Sequence, residues 1–190
     1  MPSNKVLLIS ADYYKRNSVV NLNVDEELIH PQIIKAQNMN IERVLGTNLF
    51  NTLLSEVSSG TVSSRMVTLL EDYIQPALVE WVTYSGILYF NYKITNKAVV
   101  KKASDNSEAS ELNEISFLRN DIRDDAEYLT ERLIKFLKAN KSDYPEYSTG
   151  NGDCDDIKPS SRAFFGGIYL GNDLDEYSYN CDNALDSSLS

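Results

Sequence analysis

Residues 62–95 read VSSRMVTLLEDYIQPALVEWVTYSGILYFNYKIT. Met66, Leu69, Leu70, Tyr73 and Ile74 recur at the three- and four-residue spacing that puts side chains on one stripe of a helix. Pro76 interrupts the run. It removes a backbone donor and crowds the carbonyl four residues earlier, so a kink or break is expected there. Beyond it, Leu78, Trp81, Val82, Ser85, Leu88, Tyr89 and Tyr92 leave hardly any polar side. A helix that is apolar all round belongs in the middle of a helical protein, and this stretch is read as the central helix of a bundle.

The flanking segments fit around it. An acidic start at Asp25-Glu26-Glu27 leads into a helix that runs from about 25 or 30 to 45, with Pro31 placed in its first turn. Ile34, Asn38, Ile41 and Leu45 form its expected inner face, beside Ile33, Gln37 and Val44, and Gly46 is its stop. Thr47 is suited to cap a shorter helix over 48–58, with Leu49, Leu53, Leu54 and Val57 facing inward and Ser58-Ser59-Gly60 ending it. A long amphipathic helix over 108–140 carries Leu112, Ile115, Ile122, Ala126, Leu129, Leu133, Phe136 and Leu137. Its other face bears Arg119, Asp121, Arg123, Asp124, Glu127, Glu131 and Arg132.

The expected fold class is therefore mainly α: a bundle of about four to five helices with an extended N-terminal arm, a protruding loop or hairpin, and a long extended C-terminal arm. The boundaries read 1–23 for the N-terminal arm, 24–140 for the bundle with the loop at 95–107, and 141–190 for the C-terminal arm. The loop holds Lys97, Val99, Val100, Lys101 and Lys102, read as contacts to neighbouring proteins. The C-terminal arm has ten acidic residues against three basic ones, so seven of the chain's ten net negative charges lie there. Rich in Ser, Asn, Asp and Gly, it cannot build a core of its own. Within it Phe164, Phe165, Ile168, Tyr169 and Leu170 form one apolar patch, which calls for a partner surface. Removing 141–190 is expected to leave a folded bundle.

Composition narrows the function. A net charge of −10 does not attract phosphates, which are gripped by Lys and Arg displacing counterions. No stretch approaches the roughly 20 apolar residues of a membrane span, and the N-terminal run Val6–Ile9 is too short for a signal peptide. The chain is expected in the cytoplasm during synthesis. Cys154 and Cys181 are read as free thiols, with a bridge between them as the alternative, and the acids flanking Cys154 make it a poor nucleophile. His30, the one histidine, stands beside Pro31 without convergent ligands, and Asp153-Cys-Asp155-Asp156 lacks the glycine and glutamate of a calcium loop. Gly166-Gly167 lacks a phosphate-loop pattern. The tyrosines Tyr73, Tyr84, Tyr89 and Tyr92 stand at helical spacing among acids, which favours packing over base stacking. No catalytic, metal or cofactor-binding residue is assigned, and the chain is expected not to be an enzyme.

Ile33-Ile34-Lys-Ala36-Gln37, Ile41 and Val44-Leu45-Gly46-Thr-Asn-Leu49 resemble the opening helices of head–tail connector proteins of tailed bacteriophages. Tyr73-Ile-Gln-Pro76-Ala-Leu78, Trp81 and Asn91-Tyr-Lys-Ile-Thr95-Asn-Lys97 are similar to the connectors of Bacteroidetes and crAss-like phages, with Ala98 standing where a glycine is expected. The resemblance covers about 24–140. It implies a structural virion protein that forms a ring, usually twelvefold, in the neck between head and tail. The implied partners are copies of itself, the portal protein and other neck or tail rings, with genomic DNA passing through the channel without specific binding. It implies no membrane partner. A helical interaction module or assembly factor absent from the virion is the alternative.

Overall fold

The computed structural model describes residues 6–20, 24–94, 99–101, 112–147 and 157–160; side chains are described except at 91–94, 99–101 and 112–114. Among the described residues seven α-helical stretches run in order: α1 (Ala11–Asn17), α2 (Glu26–Ala36), α3 (Glu42–Leu45), α4 (Thr47–Ser59), α5 (Ser64–Thr68), α6 (Gln75–Asn91) and α7 (Leu112–Ala139). A two-stranded hairpin, β1 (Tyr92–Ile94) and β2 (Val99–Lys101), joins α6 to α7. The protein is mainly helical, as the periodicity predicts.

The central position of α6 is also as expected. It packs along both α2 and α7, and Ala77, Leu78, Val79, Trp81, Val82 and Ile87 are all buried. Tyr73 stacks on Phe136 with ring centroids 4.0 Å apart, and Trp81 donates from Nε1 to Thr130 Oγ1 at 2.9 Å. These pairs run α6 and α7 antiparallel.

Pro76 neither breaks nor ends its helix. The turn before it, Leu69–Ile74, is π-helical, and the Gln75 N–H reaches back five residues to the Leu70 carbonyl. The wider turn absorbs the missing donor and makes room for the ring, so α5, the π turn and α6 follow one another without a break. A second π turn, Gln37–Ile41, joins α2 to α3 in the same way, with the Glu42 N–H bonded to the Gln37 carbonyl. It changes the face the sequence predicts. One extra residue in the turn brings Ile33, Gln37 and Ile41 into line; these are buried, while Asn38 is exposed and Ile34 only half-buried. Pro31 lies inside α2 rather than in its first turn, because the helix already begins at Glu26.

The N-terminal segment differs from an extended arm. Ser10 caps α1, its hydroxyl accepting from the Tyr13 N–H at 3.0 Å, and Ala11 and Tyr14 enter the core. Residues 6–8 are held to the bundle by glutamine amides. Gln37 donates from Nε2 to the Val6 carbonyl (3.1 Å) and accepts the Leu8 N–H at Oε1 (3.0 Å), while Gln75 donates to the Leu8 carbonyl (3.3 Å). Leu8 and Ile9 can therefore be buried with their backbone groups satisfied.

The bundle also continues past 140. Tyr144 and Tyr147 are buried, the latter at the end of a 3₁₀ turn (Pro145–Tyr147), and Glu146 receives both terminal nitrogens of Arg65 at 2.6 and 2.9 Å. Removing 141–190 would strip these core contacts. Further on, residues 157–160 lie across the corner between α3 and α4. Thr47 N–H donates to the Ile157 carbonyl, Ile157 N–H to Thr47 Oγ1, and Ser160 N–H to the Arg43 carbonyl, each at 2.9 Å. Thr47 thus anchors this strap instead of capping α4; Gly46 occupies the cap position. Gly46 has φ +76° and ψ 158°, a conformation open essentially to glycine alone, and a Cβ there would lie 2.7 Å from Pro159 Cδ.

Candidate functional site

A cleft lies where the end of α2 and the following π turn face α7 across α6. Its volume is about 260 Å³, and it is lined by Lys35, Met39, Asn40, Trp81, Tyr84, Ser85, Arg119, Arg123 and Glu127. The floor is aromatic. Trp81 and Tyr84 meet edge to face with centroids 5.7 Å apart, and the Trp81 indole is fixed by Thr130, whose own hydroxyl donates to the Ala126 carbonyl at 2.7 Å. One wall is cationic. Arg119 lies over the Tyr84 ring, 4.3 Å from its centroid, and its Nε donates to the Tyr84 carbonyl at 3.4 Å. Arg123 bonds Asp124 at 3.0 Å and stands 3.8 Å from Glu127. Lys35 and Met39 are exposed at the opposite lip, Met39 by 60%.

Three cations converge here in a chain of net charge −10. Such a wall can hold a carboxylate or another anion, and the aromatic floor can take a flat or apolar group. It offers no nucleophile paired with a base. Among the described residues, no group of three or more His, Cys, Asp or Glu is placed to hold a metal, and no helix is long and apolar enough to cross a membrane.

The residues singled out from sequence fall elsewhere. Val99, Val100 and Lys101 form β2, paired antiparallel with Ile94, Lys93 and Tyr92 of β1; Lys97 and Lys102 lie outside the described residues. So do Phe164, Phe165, Ile168, Tyr169 and Leu170, together with Cys154 and Cys181. His30 is exposed on α2. Tyr73 packs between Phe136 and the Arg132 guanidinium at 4.7 Å, whereas half-buried Tyr84 lies in the cleft floor. The cleft itself escaped the sequence reading, because its cations come from α2 and α7, far apart in the chain. The available signal was a pair of arginines, Arg119 and Arg123, one turn apart on the polar face of the long helix.

Residues 41–157 match the model of a family of unknown function, DUF6712. The chain belongs to this family. The DUF6712 match begins at the end of the first π turn and finishes at Ile157, the residue whose N–H and carbonyl both bond Thr47. The family unit thus holds α3 to α7, both sides of the strapped corner, and the Trp81, Tyr84, Arg119 and Arg123 part of the cleft; α1 and α2 lie before it. No curated protein and no solved structure matches the chain.

Proposed function

We propose that this DUF6712 protein is a non-enzymatic structural subunit of a phage virion that assembles head to tail into a ring in the neck. There it joins the portal to the tail and lets DNA pass. The observation that carries the reading is where large apolar side chains remain exposed. Phe117 (78%) and Tyr128 (70%) lie about three turns apart on one side of α7. Val19 (91%) and Met39 (60%) belong to the N-terminal half of the bundle. A heterologous ring contact requires two different patches on each subunit, one meeting the other on the next copy. The hairpin between α6 and α7 supplies a further element for contacts to the portal or a neighbouring ring, through Val99, Val100 and Lys101. The resemblance over 24–140 supports the connector assignment, and the acidic balance suits a channel through which DNA slides without adhering.

Native mass spectrometry and negative-stain imaging of the purified chain, alone and with its portal protein, test this. A discrete ring is expected. Phe117→Asp with Tyr128→Asp should leave helical circular dichroism intact and abolish the ring. A chain that stays monomeric under both conditions and is missing from purified virions would establish the assembly-factor alternative instead.

A further inference from the structure

We propose that the cleft between α2, α6 and α7 is the docking site for the chain's own acidic tail segment Asp173-Leu-Asp175-Glu176-Tyr177-Ser-Tyr179. Two observations select this occupant. The first is charge and shape. The cleft presents Lys35, Arg119 and Arg123 around an aromatic floor of Trp81 and Tyr84, with Met39 exposed at its lip. The segment carries three carboxylates interleaved with one leucine and two tyrosines. By contrast the apolar stretch Phe164–Leu170 has no acid to offer the cationic wall. Glu127 and Asp124 already engage Arg123, so an incoming carboxylate shares or replaces them there, while Lys35 and Arg119 face it from two other sides.

The second is where the chain leaves the bundle. Ser160 is fixed to Arg43 by its N–H (2.9 Å) and through the Arg43 side chain at 3.4 Å. Arg43 lies one turn beyond Met39 and Asn40 at the cleft's lip, and its guanidinium feels the charge of Glu127, which lines the cleft. The strap therefore releases the tail beside the site. Residues 161–172 can span up to about 40 Å before Asp173, so the segment reaches the cleft without strain. Tethering at this range gives an effective concentration near the millimolar scale, enough for a modest intrinsic affinity to keep the site filled. The inference concerns one chain and does not rest on ring assembly, although Met39 belongs both to this cleft and to the exposed set named for the ring contact.

The native thiol at Cys181, two residues beyond Tyr179, allows a direct test in the full-length protein. With Cys154→Ser to leave one tail thiol, Met39→Cys places a second thiol at the cleft, and Ser58→Cys places one at the exposed end of α4 as a control. Under a thiol–disulfide buffer the Met39→Cys chain should close an intramolecular disulfide with Cys181 about tenfold faster than the control. Asp173→Asn with Asp175→Asn and Glu176→Gln should bring it down to the control rate, as should high salt. Asn40→Cys gives a second cleft position if Met39→Cys perturbs folding. Equal rates at cleft and control, or a disulfide that forms only between chains, would overturn the assignment.

Discussion

Gly46 offers the sharpest perturbation of the fold, because two independent constraints meet on one missing methyl group. Alanine at φ +76° and ψ 158° occupies a region essentially closed to residues with a Cβ, at about 2 kcal/mol. Loss of glycine's freedom in the unfolded chain returns about 0.7 kcal/mol. The new Cβ would also lie 2.7 and 2.8 Å from Pro159 Cδ and Cγ and 3.1 Å from the Ile157 carbonyl oxygen. Relief requires the strap to lift, and the cost of lifting is of the order of the three hydrogen bonds its backbone makes to Arg43 and Thr47, each about 1 kcal/mol net. Gly46→Ala should therefore lower the unfolding free energy by about 3 kcal/mol in urea titrations followed by circular dichroism. Adding Pro159→Ala to it should recover only the clash, leaving a deficit of about 1–2 kcal/mol from the backbone itself. A loss below about 0.5 kcal/mol for Gly46→Ala would refute both the conformation and the docked strap.

Three further perturbations probe the core and its edges. Tyr14 is fully buried, and desolvation pushes its phenol up to about 12, while Thr83, whose hydroxyl proton is committed to the Val79 carbonyl, accepts its O–H at 3.0 Å. The folded state then holds a proton that the unfolded chain releases above the ordinary value of 10.0, so stability is full below pH 10 and falls by up to about 1.4 kcal/mol per pH unit until about 12. Tyr14→Phe should flatten that alkaline limb in pH-dependent denaturation, at a cost of about 1 kcal/mol at neutral pH. Thr130→Val strands the buried Trp81 N–H and should cost about 2 kcal/mol with a shift in emission from the chain's single tryptophan. The hydrogen bonds from Arg65 hold the Glu146 carboxyl below its ordinary 4.5, so this pair stabilises the fold above that value and is lost as the pH falls through the depressed one. Being partly exposed, it is worth about 1 kcal/mol or less, and Arg65→Met should remove that acid-side dependence from the thermal unfolding curve.

Helix existence and the central place of α6 were legible because an apolar run on every side of a helix has one place to go. The inner face of α2 was not, since a straight α-helical projection pairs Ile34 with Ile41, whereas the π turn pairs Ile33 with it. A turn of that kind leaves no mark in hydrophobic spacing until its extra residue is known. Pro76 did mark a local disturbance, but its form, widening rather than breaking, depends on the packing of Leu69 and Ile74. The N-terminal segment looked extended because Ala11–Asn17 has little periodicity; two glutamine side chains and a single buried tyrosine fix it. The cleft required two distant helices to meet, and sequence spacing carries no such information.

The π turns have a consequence for comparing relatives. Each contains one residue more than an α-helical turn, and the matched family unit starts within one of them. A homologue lacking the extra residue would align with a single gap inside an apparently unbroken helix. Everything downstream of that gap would be rotated by about 100° against the same neighbours unless compensated. Gaps near Gln37–Ile41 or Leu69–Ile74 are thus the places where two members of this family could share a sequence pattern and yet present different faces to their surroundings.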